Sequence, residues 1–309
     1  MVLRDPLLLA SGCCGYGEEY AELLDPAGIG GVITKAVSPE PRVGNPTPRL
    51  HETPAGLLNC IGLQNPGVEA FIAEVIPPLA ERGVTFIVNV VGHSGAEFAD
   101  VVTAVEAVRP ANVSADVAGI TQGVAGYELD LSCPNVESGT QFATDEALLR
   151  ETVSLCRART DALLIAKLSP NVTDITQYAR AAQEAGADAV TIANTWAGVS
   201  IDSGTRRSHL ARPSAGLSGP AIRAATLYHV WRCHRALPEL PILGSGGITD
   251  TDSAVQYLLA GATALQLGTG LFLDPLLPAA LQDGLAAYLT EQGEPGLGAI
   301  IGTYRDAAD

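Results

Sequence analysis

The 309-residue sequence predicts a (β/α)8 TIM barrel, a single domain with long loop insertions at the C-terminal face of its strands. Eight short apolar runs rich in β-branched residues recur along the chain, and segments of helical period separate them, which is the pattern of repeated βα units. Each run ends in a polar, reactive or glycine residue. Barrels of this type occupy about 250 residues, or more with insertions, so the whole of 1–309 is expected to form one domain.

The expected strands, in order, are 7–11, 30–35, 85–90, 127–132, 163–168, 189–195, 241–245 and 264–269. Runs without a polar alternate position imply burial on both faces, as parallel barrel strands require. Helical periodicity marks 68–82, 96–108, 145–158, 174–186 and 221–237 between them. Asp145 and Asp174 stand at two of the starts, where a carboxylate caps the free N–H groups of a first turn. The connections 37–66 and 196–220 are too long for simple turns and are expected to be binding loops. No GxGxxG opens a helix after the first strand, which weighs against an open doubly wound sheet.

Composition narrows the function classes. Hydrophobic residues at 47% suffice for a large core, and a formal net charge of −16 removes the basic footprint that nucleic acid or an anionic membrane demands. No apolar run reaches the roughly 18 residues of a membrane span. Asp5 and Pro6 interrupt the N-terminal run, so it does not read as a signal peptide, and a cytoplasmic protein is expected. The six cysteines (Cys13, Cys14, Cys60, Cys133, Cys156 and Cys233) have no CxxC or similar spacing, and the five histidines share no metal spacing. No metal site is expected. Of 18 basic residues only Lys35 and Lys167 are lysines, and both follow apolar runs, GVITK and LLIAK. A compact ammonium fits where a planar guanidinium does not, which points both lysines at a site.

The strand ends place Ser11, Lys35, Asn89, Asp130 with Ser132 and Cys133, Lys167, Asn194 with Thr195, Gly246 with Gly247, and Gly268 with Thr269 around one mouth. In such barrels that mouth is the active site, and the ends of strands seven and eight are its usual phosphate position. Glycines there let backbone N–H groups approach an anion. Lys167 suits a planar cofactor that gains negative charge on reduction, as a flavin does. Asn59, Asn89 and Asn194 each donate and accept, matching a heterocycle with alternating N–H and C=O groups. Cys133 leads a loop at the mouth and is a candidate base or nucleophile if a cation such as Lys35 lowers its pKa. Cys156 and Cys233 read as structural thiols inside helices, and Cys13 and Cys14 as packing residues. His51 and His93 fall near the mouth without an assigned role.

The runs ASGCCGYG, ITKAVSPEPRVGNPTPRLHET, LLNCIGLQNPGVE, ELDLSCPNV, AKLSPNVTDI, LSGPAI, GSGGI and LAGATALQLGTGLF span nearly the whole chain. In this order they resemble class 1 dihydroorotate dehydrogenase, and GNPTPR with GLQNPG resembles the B subtype. The resemblance implies oxidation of dihydroorotate to orotate in pyrimidine synthesis with FMN as cofactor. It assigns FMN contacts to Ser11, Lys35, Ala36, Asn89, Asp130, Lys167 and Ala193, and to Gly219, Gly246, Gly247, Gly268 and Thr269. It assigns the substrate to Lys35, Asn59, Cys60, Ile61, Gly62, Leu63, Asp130, Asn194 and Thr195, with help from Asn65 and Asn135. Cys133 becomes the base. The same resemblance implies a homodimer core inside a heterotetramer, whose second subunit carries FAD and a [2Fe-2S] cluster and passes electrons to NAD. The alternatives are a stand-alone homodimer that reduces fumarate, an enzyme acting on another dihydropyrimidine, and a barrel that binds a phosphorylated ligand without redox chemistry.

Two positions depart from the family pattern. Asp130 stands where the motif ELNxSCPN has Asn, and Cys60 where Ala is common in the B subtype. An ionised carboxylate donates no hydrogen bond and repels the carboxylate of orotate. Asp130 is therefore expected to be protonated, or held by Lys35 or Lys167, or to signal another substrate.

Overall fold

The computed structural model describes all residues except 1–2, 21, 24, 26–27, 116–118, 133–141, 143 and 306–309. Eight parallel strands close into a barrel: β1 (Leu7–Leu9), β2 (Gly31–Ile33), β3 (Thr85–Val90), β4 (Thr121–Asp130), β5 (Leu163–Lys167), β6 (Ala189–Ile192), β7 (Ile242–Ser245) and β8 (Ala264–Leu267). Closure comes from two registers. Leu7 pairs with Leu265 between β1 and β8, and Asn89 pairs with Glu128 between β3 and β4. All eight expected strands are present. Only β4 is misplaced, beginning six residues early, because Gly123, Ala125 and Gly126 replace the β-branched signal there. Small residues are required at that point: a Cβ on Gly126 would collide with the Leu163 carbonyl of β5.

The helices pack outside in the order their apolar spacing dictates. In α2 (Gly95–Glu106) the residues Phe98, Val101, Val102 and Val105 are buried. In α3 (Glu146–Arg157) they are Leu149, Thr152, Val153 and Cys156. Both sets follow i, i+3, i+4, i+7, the stripe one helix face presents to a sheet. Each large apolar side chain so buried stabilises the fold by about 1.5–3 kcal/mol. Asp145 caps α3 by accepting from the N–H of Leu148 at 3.0 Å, and Asp174 caps α4 (Ile175–Glu184) through Thr176 at 3.0 Å. Cys156 and Cys233 are fully buried among these helices, as expected. The helix α1 starts at Val68–Ala70, widens into a π turn over Phe71–Val75 and continues as Ile76–Glu81. The widening precedes Pro77 and Pro78, which have no N–H to offer the carbonyls four residues back.

The two long connections are more ordered than the expectation of binding loops. They combine into a four-stranded antiparallel sheet, Trp196–Gly198, Ala215–Ser218, Gly56–Asn59 and Leu50–Thr53, standing over the barrel mouth. The strands are three or four residues long, and the pairing that joins the two connections spans some 160 positions, as Gly216 with Asn59, so no local periodicity reveals the whole sheet. No helix among the described residues is long and apolar enough to cross a membrane.

Candidate functional site

The barrel interior is built in layers by the two-residue period of its strands. The lowest layer is apolar and takes one residue from each strand: Leu8, Ile33, Ile87, Ala125, Ile165, Ala189, Leu243 and Ala264. Two residues further on, seven strands present Ala10, Lys35, Asn89, Lys167, Thr191, Ser245 and Gln266. On β4 the register shifts by one residue opposite Phe86 and Ile87, so Glu128, not Tyr127, comes level with Asn89. A bulge of this kind re-aims the following side chains. It turns Glu128 and Asp130 into the barrel.

Glu128 is the hub of this polar layer and is fully buried. It accepts from Asn89 Nδ2 at 2.7 Å, from Thr191 Oγ1 at 2.6 Å and from Gln266 Nε2 at 2.6 Å. Lys167 Nζ lies 3.6 Å from its Oε1. Burial works against the Lys167 charge, but Glu128, then Asp130 and Cys13, outweigh it and raise the ammonium pKa. Lys35 behaves oppositely: burial first, then Arg49, lowers its pKa against the pull of Glu19.

One layer higher, Asp130 Oδ1 accepts from the Ser132 hydroxyl and, at 3.1 Å, from Asn194 Nδ2. Asn194 Nδ2 also donates to Ser132 Oγ at 2.7 Å, while its Oδ1 accepts from the Thr195 N–H at 2.7 Å. Of the three expectations for Asp130, an ion pair with Lys35 is not found, and Lys167 makes its ion pair with Glu128 instead. The carboxylate is held by neutral donors.

Above these residues opens a cavity of about 410 Å³, within the range of small-molecule sites. Of the expected cofactor residues, Ser11, Lys35, Ala36, Asp130, Lys167, Ala193, Gly219, Gly246, Gly247, Gly268 and Thr269 line it. So do Asn59, Ile61, Gly62, Leu63, Asn194 and Thr195 of the expected substrate residues. Three expected residues are not brought to it. Asn89 is absent from the lining, its Nδ2 donating to Glu128 while its Oδ1 has no partner among the described residues, and Cys60 is buried with its thiol 3.9 Å from the Pro48 carbonyl. Asn65 is likewise engaged elsewhere, with Ser38. Cys133 and Asn135 lie outside the described residues.

Cys13 corrects an expectation. It lines the cavity and is not merely a packing residue. Burial pushes its thiol up to about 11, with Lys167 opposing the shift. Cys14 beside it is buried, as expected of packing. Sequence reasoning also missed Arg49 and Gln64, joined at 2.8 Å on the cavity wall, and Ser218, which accepts from Thr269 Oγ1 at 2.7 Å. His51 stacks on His209 with centroids 4.1 Å apart.

The cavity floor and walls define what fits. Gly246 and Gly247 have φ of +141° and +71°, and a Cβ on Gly247 would stand 2.8 Å from Arg223 Cβ and 2.9 Å from the Gly219 carbonyl. Such a cradle brings backbone, not side chain, to a ligand at the ends of β7 and β8. Beneath it Lys167 supplies one positive charge inside a low-dielectric barrel. Fold and site together define a (β/α)8 barrel of the enzyme type, with a glycine-lined cavity at its mouth over a buried lysine.

Comparison with known proteins makes this specific. The family model for dihydroorotate dehydrogenase matches residues 1–289, and the chain belongs to that family. A relative from Trichlorobacter lovleyi named dihydroorotate dehydrogenase B (NAD(+)), catalytic subunit, is 42% identical over 301 residues, covering 97% of this chain and 94% of its own. Proteins of the same name from Pelobacter propionicus and Bacteroides thetaiotaomicron are 43% and 40% identical, over 97% of this chain and 94% and 95% of theirs. The crystal structure of dihydroorotate dehydrogenase from Eimeria tenella in complex with ferulenol superimposes with a TM-score of 0.78 at 21% identity, covering 99% of this chain and 87% of that one. That likeness bears on the barrel alone.

Proposed function

We propose that this chain, as one FMN-binding barrel domain, oxidises (S)-dihydroorotate to orotate in the synthesis of UMP. The observation that carries the reading is the cavity: seventeen positions expected from the resemblance line one chamber over Lys167, in a chain about 42% identical to catalytic subunits of that name. Gly246, Gly247, Gly268 and Thr269 would hold the FMN phosphate, while Ser11, Ala36, Ala193 and Gly219 wall the ring and Lys167 supports it from below. When bound, FMN supplies the two-electron acceptor that takes hydride from C6 of the substrate.

The protein's own part is binding and proton removal. Lys35, the strand ending at Asn59, and the turn Ile61–Gly62–Leu63 face the substrate side of the cavity, where a cation and backbone N–H groups suit a carboxylate. Cys133 takes the proton from C5 as general base. Electrons leave through a partner subunit carrying FAD and a [2Fe-2S] cluster to NAD, with the barrel as homodimer core of a cytoplasmic heterotetramer. The relatives' designation as catalytic subunits supports a separate electron-transfer chain.

The test is an anaerobic absorbance spectrum of the purified protein before and after dihydroorotate. Loss of the flavin band near about 450 nm is expected. A band that dihydroorotate leaves intact, while another dihydropyrimidine removes it, would overturn the substrate and implicate Asp130. The subunit reading predicts no NADH from the isolated chain with dihydroorotate and NAD, and NADH once an electron-transfer subunit is added.

A further inference from the structure

We propose that Glu128 is a positioning residue that fixes the Lys167 ammonium beneath the cavity and, by its own negative charge, sets how strongly that ammonium favours the reduced cofactor. The inference rests on the FMN reading of the site and adds to it a residue that contacts neither cofactor nor substrate. Glu128 is fully buried and absent from the cavity lining, whereas Lys167 is in that lining, so Glu128 reaches a ligand only through Lys167.

The geometry describes a charged carboxylate. Oε1 accepts from Asn89 Nδ2 and faces Lys167 Nζ; Oε2 accepts from Thr191 Oγ1 and Gln266 Nε2. Every partner is a donor or a cation, the set an acceptor-only group requires. Gln266 Nε2 also donates to Thr191 Oγ1 at 2.8 Å, which ties the partners to one another. Donors thus come from β3, β5, β6 and β8 to a residue of β4, and five of the eight strands converge on one buried pair. Both carboxylate oxygens of Glu128 are satisfied from several strands, which fixes its position, although Asn89 Oδ1 and Gln266 Oε1 have no partner among the described residues. Asp130 also favours the Lys167 charge, so Glu128 is not its only counter-charge. What Glu128 adds is a fixed position and a partial cancellation of the field that the cofactor feels.

Glu128→Gln separates charge from shape. The amide oxygen keeps the bonds from Asn89 and Lys167. The new NH2 meets Thr191 Oγ1, which can accept, and Gln266, whose Oε1 has no partner and can turn to receive it. The midpoint potential of bound FMN, read by reduction against a reference dye without dihydroorotate, is the decisive measurement. Removing the negative charge is expected to raise the preference for reduced over oxidised FMN about tenfold, a positive shift of about 30 mV for a two-electron couple. An unchanged or lowered potential with FMN retained overturns the proposal.

A second measurement does not depend on FMN or on Glu128→Gln folding by itself. Lys167→Met leaves Glu128 buried without its counter-charge, so Lys167→Met/Glu128→Gln is expected to melt at a higher temperature than Lys167→Met alone. A double variant that melts at or below the single one refutes the ion pair. Failure of dihydroorotate to reduce the protein would remove the proposed reaction while leaving both of these measurements in place.

Discussion

Asn194 donates through Nδ2 to Asp130 at 3.1 Å and to Ser132 at 2.7 Å, so its donors are turned toward β4 and away from the centre of the cavity. The Thr195 N–H donates to Asn194 Oδ1 at 2.7 Å, which leaves the NH2 to face Asp130 and Ser132. An uncharged amide at 130 accepts the same bonds through Oδ1 and offers the cavity a donor in place of a negative charge. Asp130→Asn is therefore expected to bind orotate about tenfold more tightly, about 1.4 kcal/mol, with FMN content unchanged. The check is titration of the flavin spectrum with orotate. Equal or weaker binding would show that the Asp130 charge does not oppose the ligand carboxylate.

The proton step gives a second prediction. If Cys133 removes the C5 proton, Cys133→Ala retains FMN and loses about 100-fold or more in the rate of reduction by dihydroorotate, the usual scale for a missing general base. Rapid-mixing absorbance with dihydroorotate measures it. Near wild-type reduction in the variant removes Cys133 from the mechanism.

The third prediction concerns the glycine cradle. Gly247 adopts φ of +71°, and a methyl group there would press on Arg223 Cβ and the Gly219 carbonyl. Gly247→Ala is expected to weaken FMN binding at least about tenfold, because backbone and side chain must both shift where the phosphate would dock. Gly298→Ala is the control: its Cβ meets nothing within 4 Å. Quenching of FMN fluorescence on titration with apoprotein distinguishes them, and equal affinity in the two variants would take the phosphate away from the β7 end.

How much was legible follows from where information sits in a barrel. All eight strands show in the sequence because burial on both faces writes an apolar run for each. The mouth residues show because strand ends are polar against that background; Lys35, Lys167 and Gly246–Gly247 are found this way. Glu128 was legible in principle: it stands two residues before Asp130 on one strand, and strand alternation puts both on one face. Its apolar neighbours Tyr127 and Leu129 instead read as an ordinary strand interior. Thr191 and Gln266 carry no local signal at all, since only the ring closure of the barrel brings them to Glu128. The sheet over the mouth was illegible because its strands are short and the pairing that unites them, Gly56–Asn59 with Ala215–Ser218, joins residues some 160 apart.

The last prediction is a pH dependence of stability. Cys156 and Cys233 are fully buried, and burial pushes each thiol from 9.0 to about 12, with nearby charges playing a smaller part. The folded protein therefore keeps both protons at pH values where the unfolded chain has released them. Stability from these groups is complete below about pH 9 and is lost as pH rises toward 12, because the unfolded state then binds fewer protons than the folded one. Each thiol contributes a slope of about 1.4 kcal/mol per pH unit across that window. Cys156→Ala/Cys233→Ala is expected to be less steep than wild type by up to twice that amount between about pH 10 and 11, whatever its stability at neutral pH. Urea unfolding at a series of pH values reads the slopes directly. Parallel curves for wild type and variant would mean that these thiols ionise as readily in the folded protein as in the unfolded chain, and that the helix-packed layer around them admits water.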